Sequence, residues 1–192
     1  GNTDQISFSI FRYSNEQDTC LLAYPTRSYN VGNAYSDAFS NKTLRPKHFH
    51  VGDFNGDGRQ DMMVIICQAP LYDSSTLTQC KIYDIVNNEL IYSGTPFHCN
   101  AMLPTYWGDE YTSEQIENMD RLFVTDYNGD GKSDICLLNT NGVNTYEFGT
   151  TGTGITSCSL VRTSTDLTRS SLKFRNFLIG DFNGDGLADF LL

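Results

Sequence analysis

"DFNGDGRQD" at 53–61 is the stretch that decides the fold, because the chain writes it again as "DYNGDGKSD" at 126–134 and "DFNGDGLAD" at 181–189. All three obey D-x-N-x-D-G-x-x-D. Oxygen side chains at positions 1, 3, 5 and 9 can converge on one point, because the glycine at position 6 permits a sharp turn. Position 7 is Arg59, Lys132 or Leu187, the variation expected where only a backbone carbonyl is used. Each loop thus offers at least five hard oxygen donors, three of them carboxylates. Such a set suits Ca2+, whereas Mg2+ demands a tighter octahedron and keeps more of its water.

A metal-free Asx turn would account for one loop of this kind. Three copies in register each crowd three aspartates into one turn, and a divalent ion resolves the repulsion among them. The expected cofactor is therefore Ca2+, about three ions per chain. An EF-hand begins with the same residues but needs a glutamate at position 12 and flanking helices. Position 12 here is Val64, Leu137 and Leu192. The flanks are "HFHV", "RLFV" and "NFLI" before the loops and "MMVIIC", "ICLL" and "FLL" after them, short β-branched and aromatic runs that predict hairpins.

The intervening segments predict further strands. "KIYDIVNNELIYSG" (81–94) reads as two alternating strands around an Asn-Asn turn, and "VNTYEFGTTGTGITSCSLVRT" (143–163) as two more around a Gly/Thr-rich turn. An inner loop hairpin followed by an outer hairpin is a four-stranded antiparallel sheet, the unit of a β-propeller blade. "ISFSIFRY" and "CLLAYP" near the start predict an outer hairpin of their own. The expected fold is all-β, with about three blades in a single repeat domain over 1–192 and loop hairpins near 48–67, 121–139 and 174–192. Complete propellers have four to eight blades. Further blades from a longer parent chain, or a homodimer closing a six-bladed ring, are the two ways to make up the number.

Composition narrows the partners. The formal charge of −10 comes without any basic cluster, which argues against nucleic acid. No apolar run is long enough to predict membrane insertion. Nine of the 23 acidic residues lie in the three loops, so the acidity is local. The six cysteines contain no C-x-x-C pair, which disfavours zinc. They leave two readings open, disulfides in an oxidising compartment or small buried core residues.

These loops with their flanking strands resemble the FG-GAP and VCBS-type repeats of integrin α-subunit propellers and of many secreted bacterial proteins. No clear Phe-Gly followed by Gly-Ala-Pro appears, "QAP" at 68–70 being a faint echo of it, and that departure places the resemblance nearer the VCBS-like branch. The resemblance implies calcium ligation by Asp53, Asn55, Asp57, Arg59 and Asp61, by Asp126, Asn128, Asp130, Lys132 and Asp134, and by Asp181, Asn183, Asp185, Leu187 and Asp189, with position 7 acting through its carbonyl. It also implies a secreted or cell-surface, non-catalytic binding or adhesion module for a protein or carbohydrate ligand. A structural shell region of Rhs- or toxin-like proteins and a polysaccharide-degrading enzyme on a propeller scaffold are the alternatives.

"LPTYWGDEYTSEQIENMD" (103–120) breaks the strand rhythm and reads as an insertion near 100–120, with a short helix over "SEQIENMD". Tyr106, Trp107, Asp109, Glu110 and Tyr111 set aromatics beside carboxylates, a combination able to stack on sugar faces and bond their hydroxyls. Trp107 packing the insertion onto the blades is the plainer reading. Phe54, Tyr127 and Phe182, at loop position 2, are expected to pack between blades.

Overall fold

A computed structural model describes residues 3–9, 11–14, 19–22, 27–33, 46–68, 77–97, 121–139, 141–166 and 178–191. Among these residues every regular element is a β-strand and every ladder is antiparallel. Strands β1 (Thr3–Phe8) and β4 (Arg27–Asn33) pair with each other, as do β2 (Phe11–Ser14) and β3 (Thr19–Leu22). The hairpin expected from "ISFSIFRY" and "CLLAYP" is therefore present, and β1 and β4 add a second ladder on the flanks of the first.

Two four-stranded meanders follow. The first is β5 (Pro46–Gly52), β6 (Asp61–Gln68), β7 (Leu77–Asp84) and β8 (Glu89–Gly94). The second is β9 (Arg121–Thr125), β10 (Asp134–Asn139), β11 (Gly142–Thr151) and β12 (Gly154–Ser164). A third loop hairpin, β13 (Leu178–Gly180) with β14 (Asp189–Leu191), stands as two strands. No described sheet closes into a barrel. Instead β5 lies against β9, β9 against β13 and β8 against β12, so the sheets stand side by side as blades of a partial propeller-like fold.

The strand sequences explain this stacking. β6 and β10 are continuous apolar runs, and Met62–Ile65 and Ile135–Leu138 are all at most 5% exposed. A strand that is apolar on both faces needs cover on both faces, because successive side chains point to opposite sides. Met63 and Ile65 of β6, with Cys80 and Ile82 of β7, share one core with Leu122, Ile135, Leu137, Tyr146 and Phe148 of the second blade. At ~1.5–3 kcal/mol for each large apolar side chain buried, this junction outweighs any single polar contact in the molecule. A second cluster, Cys136, Leu138 and Val143, receives Ile179 and Phe190 from the third hairpin. The outermost β12 is mostly exposed and is rich in Ser, Thr and Arg, as an edge strand should be.

The outer turns follow local chemistry. The Asp84 carboxylate accepts from the backbone N–H groups of Val86 and Asn87, both at 2.8 Å, and Asn88 takes the left-handed conformation (φ 63°) that closes the Asn-Asn turn. The Gly/Thr turn between β11 and β12 uses Gly152 in the same way (φ 61°). Cys80 and Cys136 are buried in the cores, and Cys136 and Cys158 are free thiols. Burial pushes Cys136 up to about 11 and Cys158 up to about 12, so both remain protonated at neutral pH.

Gly52, at the end of β5, marks a close approach between blades. A Cβ there would stand 2.7 Å from the Ser133 Cβ and 3.1 Å from Val124 Cγ1. Thr125 occupies the matching place in the second blade, so the neighbour rather than the strand excludes a side chain. Gly52→Ala should therefore destabilise the protein by about 1–3 kcal/mol, measured by urea unfolding; an unchanged midpoint would show that the blades are not in contact there.

Candidate metal centre

The three repeats fold into one and the same loop. The position-1 carboxylate faces inward and collects the backbone. Asp53 Oδ1 accepts from Gly56 N at 2.7 Å and Asp57 N at 3.1 Å, and Oδ2 accepts from Gly58 N at 2.8 Å. Asp126 receives Gly129 N (2.8 Å), Asp130 N (3.2 Å) and Gly131 N (2.8 Å) in the same pattern. Asp181 receives Gly184 N (2.6 Å), Asp185 N (3.1 Å) and Gly186 N (3.0 Å). The amide oxygen at position 3 accepts from the backbone N–H at position 5, at 2.9–3.0 Å in all three loops. The position-5 carboxylate accepts from the N–H at position 7, at 2.9 Å each time.

Two glycines per loop make this possible. Gly58, Gly131 and Gly186, at position 6, take φ between 81° and 85°, as expected. The position-4 glycines Gly56, Gly129 and Gly184 take φ between 75° and 79°, which the sequence reading left without a role. Their appearance in every copy was the available signal.

Position 9 closes each loop from the far strand. Asp61, Asp134 and Asp189 open β6, β10 and β14, and each accepts the N–H of position 2 (Phe54, Tyr127 or Phe182) at 3.0–3.2 Å. Asp61 and Asp134 are buried, each 1% exposed. Burial, reinforced by the charges of Asp57, Asp84 and Asp53, lifts Asp61 to about 7 in spite of the Phe54 N–H. Burial likewise lifts Asp134 to about 7, with Asp130, Glu147 and Asp126 adding to it against the Tyr127 N–H. In the first two loops, then, a buried carboxyl faces other acidic groups at a distance where charge matters, whereas Asp189 of the third is half-buried.

The donor chemistry fits a hard divalent cation. An ionised carboxylate offers about four lone-pair sites, so an oxygen that accepts one or two N–H groups keeps room for a metal. Asp53, Asn55, Asp57 and Asp61, with the Arg59 carbonyl, make up the first donor set. Asp126, Asn128, Asp130, Asp134 and the Lys132 carbonyl make up the second, and Asp181, Asn183, Asp185, Asp189 and the Leu187 carbonyl the third. Among the described residues no three Asp, Glu, His or Cys side chains already stand as a closed coordination group. A bound ion would have to draw these donors together, with amide and main-chain oxygens belonging to the set.

Position 7 does more than present a carbonyl. Lys132 Nζ pairs with Asp130 Oδ2 at 3.0 Å and reaches the Phe148 carbonyl at 3.4 Å. Burial alone would raise Asp130, but the hydrogen bonds and charge of Lys132 outweigh it and hold the carboxyl below its ordinary value. Position 3 also reaches outside its own loop. Asn55 Nδ2 donates to the Thr153 carbonyl of the second blade at 3.1 Å, and Asn128 Nδ2 donates to Glu147 at 3.1 Å. The aromatics of position 2 pack between blades as expected for Phe54, which meets Phe148 edge-on at 5.5 Å, and for Tyr127, which packs on the second core. Phe182 is 55% exposed and does not. Tyr106, Trp107, Asp109, Glu110 and Tyr111, and the helix expected over 113–120, lie outside the described residues.

Replacing a position-1 aspartate leaves the backbone N–H groups of positions 4 and 6 without their acceptor and that of position 5 with the position-3 amide oxygen alone. Asp53→Ala or Asp126→Ala should each cost about 1–2 kcal/mol, since water partly replaces the lost bonds. Urea unfolding measures this, and wild-type stability in either variant would contradict the frame described.

Residues 126–192, which hold the second and third loops, match the family described as FG-GAP-like repeat. No curated protein and no solved structure matches the chain. That match lies on two of the three repeated loops and is consistent with an FG-GAP-type repeat protein.

Proposed function

We propose that the chain is a non-catalytic, calcium-stabilised extracellular binding module. The observation that carries this reading is the threefold recurrence of one hydrogen-bonded loop, in two copies of which a buried aspartate faces further carboxylates. A bound Ca2+ would supply the positive charge that those carboxylates lack, drawing position 9 on one strand toward positions 1, 3 and 5 of the connecting loop. FG-GAP-type repeats are typically extracellular and non-catalytic and often bind ligands, and among the described residues no helix is long and apolar enough to cross a membrane. The ligand class we favour is a protein or a glycan, met by the loop-bearing ends of the blades, with Tyr106, Trp107, Asp109 and Tyr111 as the candidate sugar-stacking group.

Extracellular modules bind calcium at ~10⁻⁴–10⁻³ M. At tenfold excess over Kd, each ion contributes about 1.4 kcal/mol, and three contribute about 4 kcal/mol. Chelation should then lower the melting temperature by roughly 8–16 °C for a chain of this size. A thermal melt with calcium and with EDTA checks this, and identical curves would remove the metal from the account. A glycan array with wild type and Trp107→Ala checks the ligand: glycan binding lost in the variant supports the sugar-stacking group, and no glycan bound at all directs the reading to a protein ligand.

A further inference from the structure

The two blade junctions are built alike, position for position. At the first, the Phe54 ring is wholly buried, Met63 is wholly buried, and the Lys132 side chain of the next loop lies over Gly56, 2.9 Å from where a Cβ would stand. At the second, Tyr127 and Cys136 pack into the second core, and Leu187 lies over Gly129 at 3.1 Å. Each blade thus offers a trailing face (loop position 2, position 11 and the position-4 glycine) to the leading face of its successor. On the leading side, Leu122 and Val124 of β9 pack into the first junction and Ile179 of β13 into the second.

One trailing face and part of one leading face are left open. On the third hairpin, Phe182 and Leu191 match Phe54 and Met63, yet they are 55% and 52% exposed. Leu178, beside them, is exposed as well, and nothing among the described residues lies within 4 Å of a Cβ placed on Gly184. Asn183, whose counterpart Asn55 reaches the next blade, turns back on its own Asp185 at 3.1 Å. On the first blade, Phe49 and Val51 of β5 match Leu122 and Val124, yet they are 51% and 58% exposed, and Arg59, the counterpart of Lys132, is exposed. Met62 and Val64, on the same side of β6, are buried, so the opening is confined to the inner strand.

We infer that these two patches are the halves of one further junction, made between two copies of this chain. Leu178, Phe182 and Leu191 of one copy seat against Phe49 and Val51 of the other, and the Arg59 side chain of the second lies over Gly184 of the first. The contact continues an interface that the fold already makes twice, and that continuity selects a second copy as its occupant. It is head-to-tail, and made reciprocally it closes two copies into a ring with twofold symmetry. The inference rests on apolar packing and stands whether or not the loops hold metal.

Sedimentation velocity on the full chain, with and without calcium, tests it. The expected species has twice the 21.5 kDa chain mass. Phe182→Asp and Val51→Asp, both at exposed positions, should each give folded monomers, checked by an unchanged far-UV spectrum. Mixed in equal amounts, the two variants should regain a dimer, because one intact trailing face then meets one intact leading face. A monomeric wild type, growth beyond the dimer, or failure of the mixed variants to associate would overturn the inference.

Discussion

Everything in the loops depends on one carboxylate accepting three backbone N–H groups. An aspartate at position 1 holds positions 4, 5 and 6 around itself, which only left-handed glycines at 4 and 6 allow. In the same winding the position-3 amide accepts the N–H of position 5, the position-5 carboxylate that of position 7, and the position-9 carboxylate that of position 2. The frame is made of short-range bonds within nine residues, so it can be repeated wherever the chain needs it. Its cost is electrostatic, since the same winding brings aspartates together and buries one of them at the start of a strand.

The glycines serve packing as well as conformation. Gly56 and Gly129 leave room for the side chain at position 7 of the following loop, so that successive loops interlock along the edge of the blades. Gly52 does the same for Ser133, and the Ser133 N–H donates to the Asp53 carbonyl at 2.6 Å. Beneath the loops the apolar faces of β6 and β10 hold the blades together. Loop chemistry and core packing are thus coupled, because a loop that lost its winding would lose its hold on its neighbour.

Much of this was legible in the sequence. The hairpins, the Asn-Asn turn after Asp84 and the Gly/Thr turn at Gly152 are set by residues a few places apart, and alternation or turn chemistry reveals them. What local pattern could not reveal was contact at a distance. Asn55 finds Thr153 across 98 positions, and Lys132 finds Phe148 on another strand. Position 7 therefore read as a bare carbonyl, when its side chain fills the space over the preceding glycine. Phe182 carries the same local signal as Phe54 and is exposed all the same, since burial depends on what stands beside the blade.

The central claim is that three clusters of aspartates are tolerated because divalent ions sit among them. Metal analysis of the purified chain, equilibrated with calcium and then freed of unbound ions, tests it most directly by counting ions per chain. The account predicts three, falling to two when the position-9 aspartate of a single loop is replaced by alanine. A chain that retains none, while folded, would contradict it.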